Sequence, residues 1–361
     1  LSHSLDLTSF RQRVQDEIDA ELAHQRQGLA ALGADIDPLV DAIASLLRDG
    51  KRLRAAFCSY GYTAAGGMNT DAALRAATAM EMFQAAALLH DDVMDDSRMR
   101  RGRPTAHEVL AATHRDLDWS GDADRFGVAG AILAGNLCLV WSDEMMATSG
   151  WDPEEMERAR PVFDTMRSQL MGGQFLDVLE SVRGWDHLDA AQRIDGARAV
   201  IKYKSAQYSV EQPLLIGARA AGLPAEQAAH LSRYGLALGE AFQMRDDLLG
   251  VFGDPAATGK PAGDDLREGK RTVLVALTLR DCTSAQADIL TSRLGTPDLD
   301  DAAIDELRSI ISGSGATQRL EEMIQEDTNT ARAELEATSG LSGEGRQALE
   351  ALIDLATARE T

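Results

Sequence analysis

Apolar positions recur at spacings of three and four along most of the chain, the period of an amphipathic helix. No run of alternating β-branched residues is long enough to require a sheet. Alanine and leucine, both good helix formers, fill the intervening positions. The pattern predicts helices over residues 7–31, 38–47, 53–65, 70–95, 127–147, 153–182, 189–204, 208–221, 225–252 and 272–278, with several short ones after 298. Glycine, proline and aspartate separate them, as in Gly66-Gly67 and Gly184-Trp185-Asp186. No tandem repeat, low-complexity tract or linker breaks the pattern. The expected architecture is therefore all-α, a single-domain helical bundle over residues 1–361.

Two predicted connections, 97–125 and 253–271, are long enough to be functional. The first opens on Arg98, Arg100, Arg101 and Arg103; the second carries Lys260, Arg267, Lys270 and Arg271. Both read as mobile, positively charged segments. The glycines at 253, 259, 263 and 269 would serve as hinges for a lid around Lys260.

Composition narrows the function. An apolar content of 44% is ample for a large core, and the net charge of −22 argues against non-specific binding to nucleic acid or anionic membrane. An anionic ligand must then be held by a local basic cluster or by metal. Cys58, Cys138 and Cys282 fit no zinc or redox spacing, which favours a reducing, cytoplasmic setting. The N-terminus shows no basic segment followed by an apolar run, so no signal peptide is expected. The most apolar stretch, 126–141, is shorter than the roughly 20 residues of a spanning helix and contains Asn136. It reads as a buried core or subunit-interface helix, with no membrane span expected.

Two acidic clusters carry the candidate chemistry: His90-Asp91-Asp92-Val93-Met94-Asp95-Asp96 and Arg245-Asp246-Asp247-Leu248-Leu249. Each ends an apolar, helix-like run, where carboxylates are costly to desolvate unless positive charge offsets them. Either cluster alone is most simply a solvated helix end or an acidic turn. The pair, each with basic residues close behind, reads as opposing walls of one cavity for Mg²⁺ and a polyphosphate. Asp91 and Asp95 are one turn apart on a helix face with Asp92 beside them; Gln243, Asp246 and Asp247 share a face in the same way. Mg²⁺ suits such a set, since it takes one or two carboxylates and completes its shell with water and phosphate oxygen. Lys51 and Arg54 flank a predicted helix start, where backbone N–H groups and the dipole favour anions. Gln84 lies two turns before Asp91, about 10 Å along the axis. His90 has no companion at metal-ligand spacing and reads as a packed or hydrogen-bonded histidine.

Taken together these residues resemble the trans-prenyl diphosphate synthases, or polyprenyl synthetases, and within them the geranylgeranyl diphosphate synthases. The resemblance rests on Gly50-Lys51-Arg52-Leu53-Arg54, Asp91-Asp92-Val93-Met94-Asp95 with Arg100-Arg101-Gly102, Gly173-Gln174-Phe175-Leu176-Asp177, Lys204-Ser205, Phe242-Gln243-Met244-Arg245-Asp246-Asp247 and Thr258-Gly259-Lys260, in the family's order. It implies an isoprenoid-synthase fold and a homodimer. It also implies condensation of isopentenyl diphosphate with an allylic diphosphate, dependent on Mg²⁺ at three ions per active site. Asp91, Asp92, Asp95, Asp246 and Asp247 would hold the metal. Arg100, Lys204, Lys260 and Lys270 would contact the allylic diphosphate, and Lys51, Arg54, Gln84 and Arg101 the isopentenyl diphosphate. Gln174, Asp177, Ser205 and Gln243 would line the reacting carbon.

The chain departs from the family at Gly250, where the second motif usually ends in a third aspartate; Asp254, in a predicted turn, does not replace it. Ser205 stands for the usual threonine and keeps the hydroxyl. Below Asp91 on the same helix come Ala87, Ala86 and Ala85, then Phe83 and Met82. By analogy with the family, small residues one turn below, with Phe83 and Met82 as a deeper floor, imply a product beyond C15, with C20 geranylgeranyl diphosphate favoured over farnesyl or longer chains. A class I terpene cyclase is a poorer reading, because the chain lacks that class's second Asn/Ser/Glu motif and a cyclase has no use for a second anion site. A non-catalytic regulatory subunit would show degraded aspartate motifs.

Overall fold

The helix that carries the first acidic cluster is apolar almost all round, and such a helix must be enclosed. In the computed structural model, which describes residues 6–185, 187–253, 263–296 and 299–357, this helix is α4, Thr70–Met94. It begins where the Asn69 side chain accepts from the Ala72 amide at 3.2 Å. The chain divides into two units, Leu1–Arg160 with Ile216–Leu223, and Pro161–Leu215 with Pro224–Thr361.

In the first unit α4 packs against α1 (Leu7–Leu29), α2 (Asp37–Leu47), α3 (Leu53–Ala64) and α6 (Ala123–Ala147), while α5 (Ala106–Asp116) packs on α6. Small residues let α4 and α6 approach closely. The Ser142 hydroxyl donates to the Ala79 carbonyl at 2.7 Å, and a Cβ at Gly135 would fall 2.3 Å from the His90 ring. His90 Nε2 lies 3.2 Å from the Ile132 carbonyl, so His90 is packed and hydrogen-bonded, as its isolation in the sequence implies.

The 97–125 connection is not a mobile loop. Met99–Arg100 and Arg103–Pro104 form an antiparallel ribbon, β1 and β2, and α5 follows directly. Its two-residue turn, Arg101-Gly102, has φ of 52° and 72°, the positive pair that a tight type I′ hairpin demands. Helix α6 is also longer than the apolar run 126–141, because Asp124, Arg125, Asp143 and Glu144 dilute its ends in sequence. At 25 residues it is long and apolar enough, by length and composition, to cross a membrane. One face is buried against α4 and α5, and Leu133 and Val140 on another are 56% and 62% exposed.

The second unit takes up α7 (Pro153–Val182) from Pro161 onward, then α8 (Ala190–Val200), a π-helical segment (Ile201–Glu211) and α9 (Gln212–Ala220), the last ending in the first unit. The expected break at 205–207 is absent. The helix widens to π geometry and runs on. Three close approaches hold this segment: a Cβ at Gly173 would meet the Tyr203 backbone at 2.5 Å, and at Gly235 and Gly239 the Cα atoms of Glu211 and Ala206 at 2.5 and 2.6 Å. The two α10 glycines are four apart and so share one face. Helix α10 (Ala225–Phe252) is followed by α11 (Asp264–Arg267), α12 (Val273–Asp281), α13 (Ser284–Arg293), α14 (Asp301–Gly313), α15 (Ala316–Ala337) and α16 (Gly343–Thr357). The last three are longer than the short helices expected there. Met244, Leu248 and Val251 of α10 build this unit's core with Val273–Leu277, Leu307, Ile311, Leu320 and Ile324.

Candidate active site

Helix α4 ends at Met94, with Asp95 as its exposed C-cap donating its amide to the Asp91 carbonyl at 2.8 Å. Asp91 is half-buried and Asp92 buried. The β1–β2 turn folds Arg100 back over both: its Nε donates to Asp92 Oδ1 at 2.6 Å and its NH2 to Asp91 Oδ2 at 3.2 Å. Burial holds the Asp92 carboxyl above the usual carboxylate range, and Arg100 only partly offsets it.

Arg101, at the hairpin tip, donates to the Asp49 carbonyl, which brings it to the loop that carries Lys51. Burial lowers its pKa, and the nearby guanidiniums of Arg100, Arg52 and Arg54 act in the same direction against Glu81. The structure thus gathers Arg100, Arg101, Arg52 and Arg54 into one basic cluster. Like charges held this close favour an anion that neutralises them.

Lys51 is not helical. Helix α3 starts at Leu53, because Arg52 adopts a left-handed conformation (φ 54°) at its N-cap. Sequence reasoning passed over Arg52, whose guanidinium is buried with Glu81 at 3.4 Å and Gln15 at 2.6 Å. Glu81 also accepts from the Ala55 amide at 3.1 Å, so one orphan donor of the α3 start is already satisfied. Lys51 is exposed; Arg54 and Gln84 are half-buried. Met82, Phe83 and Ala86 are fully buried and Ala87 is 6% exposed, all within the α4 packing. A cavity of about 340 Å³ is lined by Asp92, Arg100 and Arg101, but also by Asp41 and Asp49 and the apolar α5 face. Its mixed charge suits a diphosphate less well than the Lys51–Arg54 side does.

In the second unit the π segment presents Lys204 to Asp177 of α7, Nζ to Oδ2, at 2.5 Å. Gln174, one turn before Asp177, is buried, and Ser205 is half-buried. On α10, Gln243 Nε2 donates to Asp247 Oδ1 at 2.9 Å. Asp246 is exposed, whereas Asp247 is 5% exposed and its Oδ2 is buried without a hydrogen-bond partner among the described residues. Burial first, then the Asp265 and Asp246 charges, push the Asp247 carboxyl up to about 8, opposed by Gln243 and Lys270. Lys270 Nζ is paired with Asp265 at 3.2 Å and Glu268 at 2.5 Å. Lys260 and Asp254 lie outside the described residues.

Among the described residues no three His, Cys, Asp or Glu side chains converge as a ready-made metal cage. The carboxylates come as pairs, which matches a cation that leaves most of its shell to water and phosphate. The orphaned Asp247 Oδ2 beside exposed Asp246 is an oxygen donor of the right class.

The polyprenyl synthetase family model matches residues 37–311. The chain belongs to this family. Its members are prenyl diphosphate synthases, which are transferases. The chain is 33% identical over 310 residues to a geranylfarnesyl diphosphate synthase of Aeropyrum pernix, covering 84% of this chain and 89% of that protein. It is 32% identical to a geranylgeranyl diphosphate synthase of Saccharolobus solfataricus, over 73% of this chain and 72% of the relative. Among solved structures, the geranylgeranyl pyrophosphate synthase of Corynebacterium glutamicum, complexed with isoprenyl diphosphate and magnesium, superposes with a TM-score of 0.92 at 38% identity, covering 99% of this chain and all of that one. Family membership fixes the reaction class. The named products differ in length, so it does not fix the product.

Proposed function

We propose that this prenyl diphosphate synthase condenses isopentenyl diphosphate head-to-tail with an allylic diphosphate, in a Mg²⁺-dependent reaction that ends at geranylgeranyl diphosphate. The observation that carries this reading is the Asp91–Asp92–Arg100 group beside the Arg101–Arg54 cluster. It offers carboxylates for a metal and, next to them, cations for an anion that needs none. Asp91 and Asp95, supported by Asp92, and Asp246 with Asp247 are the proposed ligands of three Mg²⁺ ions. Bound there, Mg²⁺ supplies positive charge to the diphosphate oxygens that depart.

The chain's own residues supply the rest. Arg100 orients Asp91 and Asp92, and with Lys204, Lys260 and Lys270 gives the allylic diphosphate its cationic contacts. Lys51, Arg54, Gln84 and Arg101 hold isopentenyl diphosphate. Asp177 fixes the Lys204 ammonium, while Gln174, Ser205 and Gln243 border the reacting carbon. The allylic C–O bond breaks with its electron pair going to the leaving oxygen. The isopentenyl double bond attacks the cation, and the proton lost from the adduct passes to the released diphosphate. The reaction requires that water, which would quench the cation, be excluded.

The C20 product rests on Ala85–Ala87 below Asp91, with fully buried Phe83 and Met82 about a turn deeper. The C20 and C25 products named for the relatives are consistent with it. The homodimer is part of the same proposal, supported by the exposed Leu133 and Val140 of α6. So is a cytoplasmic location, which the buried free thiols of Cys58 and Cys138 suit.

The test is to incubate the purified protein with Mg²⁺, radiolabelled isopentenyl diphosphate and each of the C5, C10 and C15 allylic primers, then size the products. A C20 product is expected from wild type and longer chains from Phe83→Ala. Unchanged product length in Phe83→Ala removes Phe83 as the floor, and no elongation from any primer refutes the reading.

A further inference from the structure

The turn that feeds α3 is strained and held from several directions. Arg52 stands in the left-handed region, φ 54°, a conformation that persists in a residue with a side chain only where the surroundings over-determine it. Here they do. Its buried guanidinium donates to Glu81 Oε2 at 3.4 Å, to Gln15 Oε1 at 2.6 Å and to the Leu47 carbonyl. One residue earlier, the Lys51 carbonyl accepts from Arg11 Nε at 3.2 Å. At the start of the turn the Asp49 carbonyl accepts from Arg101, and Asp49 Oδ2 pairs with Arg103 at 2.8 Å.

Two of these partners, Arg11 and Gln15, belong to α1, an element that carries none of the proposed substrate contacts. They are four apart, so one face of the helix presents both. Helix α1 is itself firmly seated. Val14 and Ile18 are fully buried, and the Phe10 ring lies 5.3 Å from that of Tyr60 on α3. The backbone between Asp49 and Leu53 is therefore tied to the same core that fixes α3. Cutting those ties would let Arg52 relax to an ordinary φ. Lys51 and Arg54, on either side of it, would then lose their mutual setting.

We infer that α1 preorganises the isopentenyl diphosphate subsite: Arg11 and Gln15 are positioning residues that hold the Asp49–Arg52 turn, and through it Lys51 and Arg54, in place before the anion arrives. Neither has to touch substrate. The inference rests on the proposed function and deepens it. A diphosphate bound without metal depends on cations that are already placed, because ordering them on arrival would weaken binding. It also gives the inward turn of Arg52 a reason: between two substrate cations, its guanidinium serves the frame.

Binding can be read without turnover. Isopentenyl diphosphate is titrated calorimetrically, with neither Mg²⁺ nor primer present, into wild type, Arg11→Met, Gln15→Leu and Gln15→Glu. Melting temperatures and steady-state kinetics with Mg²⁺ accompany the titrations. Arg11→Met and Gln15→Leu each remove one hydrogen bond of a charged group and should bind about tenfold more weakly. Gln15→Glu keeps an oxygen for Arg52 and should stay within about twofold of wild type. KM for isopentenyl diphosphate should rise in step with Kd, while kcat and KM for the allylic primer hold within about twofold. Arg11 lies at a half-exposed helix edge, so Arg11→Met should melt like wild type. Gln15→Glu as weak as Gln15→Leu, or kcat falling together with affinity, overturns the inference. Wild type that binds isopentenyl diphosphate no better than Arg11→Met does sinks this inference alone; wild type that binds none and elongates nothing sinks the function beneath it.

Discussion

At the scale of single residues, the side chains that organise the site are not always those that would touch substrate. Arg52 sits between Lys51 and Arg54 yet points inward, in a left-handed conformation, against buried Glu81. Arg52→Met strands that carboxylate and is expected to cost about 3–5 kcal/mol in urea unfolding; Arg52→Met/Glu81→Leu should recover part of it. Equal losses in both variants would mean that the arginine stabilises through something other than the pair. Asp327 offers a pH test away from the acids proposed to bind metal. Burial, with Glu240 and Glu326 beside it and Arg198 opposing, raises its carboxyl to about 6 from the ordinary 3.8. The folded state therefore holds this proton more tightly than the unfolded one. That advantage is complete below about pH 4 and is lost as pH rises through about 6. Asp327→Asn should leave stability near pH 4 unchanged and gain about 1–2 kcal/mol above pH 7, the full shift being discounted for partial exposure. Parallel pH profiles of melting temperature for the two proteins would contradict this.

At the scale of elements, periodicity and punctuation made α7 and α10 legible to the residue, and the Asp91 and Asp246 motifs stood out because carboxylates at the end of an apolar run need a reason. What stayed hidden depends on backbone geometry or on distant contacts. Arg101-Gly102 looked like the start of a loop because a type I′ turn follows from two positive φ values, not from hydropathy. Ser205 to Gln207 looked like a helix break, since polar residues interrupt the apolar period; π geometry absorbs them and keeps Lys204 on a rigid element. The close approach of the π segment to Gly235 and Gly239 gives the element-scale prediction. Gly239→Ala overpacks it by about 1–3 kcal/mol, which lowers the melting temperature. It should also lower kcat through Lys204 and Ser205, while KM for isopentenyl diphosphate, whose proposed contacts are Lys51 and Arg54, stays within about twofold. An unchanged kcat would show that the π segment does not position the chemistry.

At the scale of the whole molecule, a net charge of −22 would repel two diphosphates, so local arrangement must outweigh the overall field. Both units answer this with the same device, a group of carboxylates held by cations: Asp91 and Asp92 under Arg100 in one, Asp177 with Lys204 and Asp265 with Lys270 in the other. The central claim is that the Asp91 and Asp246 motifs are both needed for one metal-dependent condensation. The most direct measurement is the initial rate of radiolabelled isopentenyl diphosphate incorporation, with Mg²⁺ titrated in after chelation, for wild type, Asp91→Ala and Asp246→Ala. The account predicts no incorporation by wild type without Mg²⁺, recovery as Mg²⁺ is restored, and loss of at least about a thousandfold in each variant, or ~4 kcal/mol of barrier. Incorporation that survives chelation, or an Asp246→Ala variant as active as wild type, would contradict it.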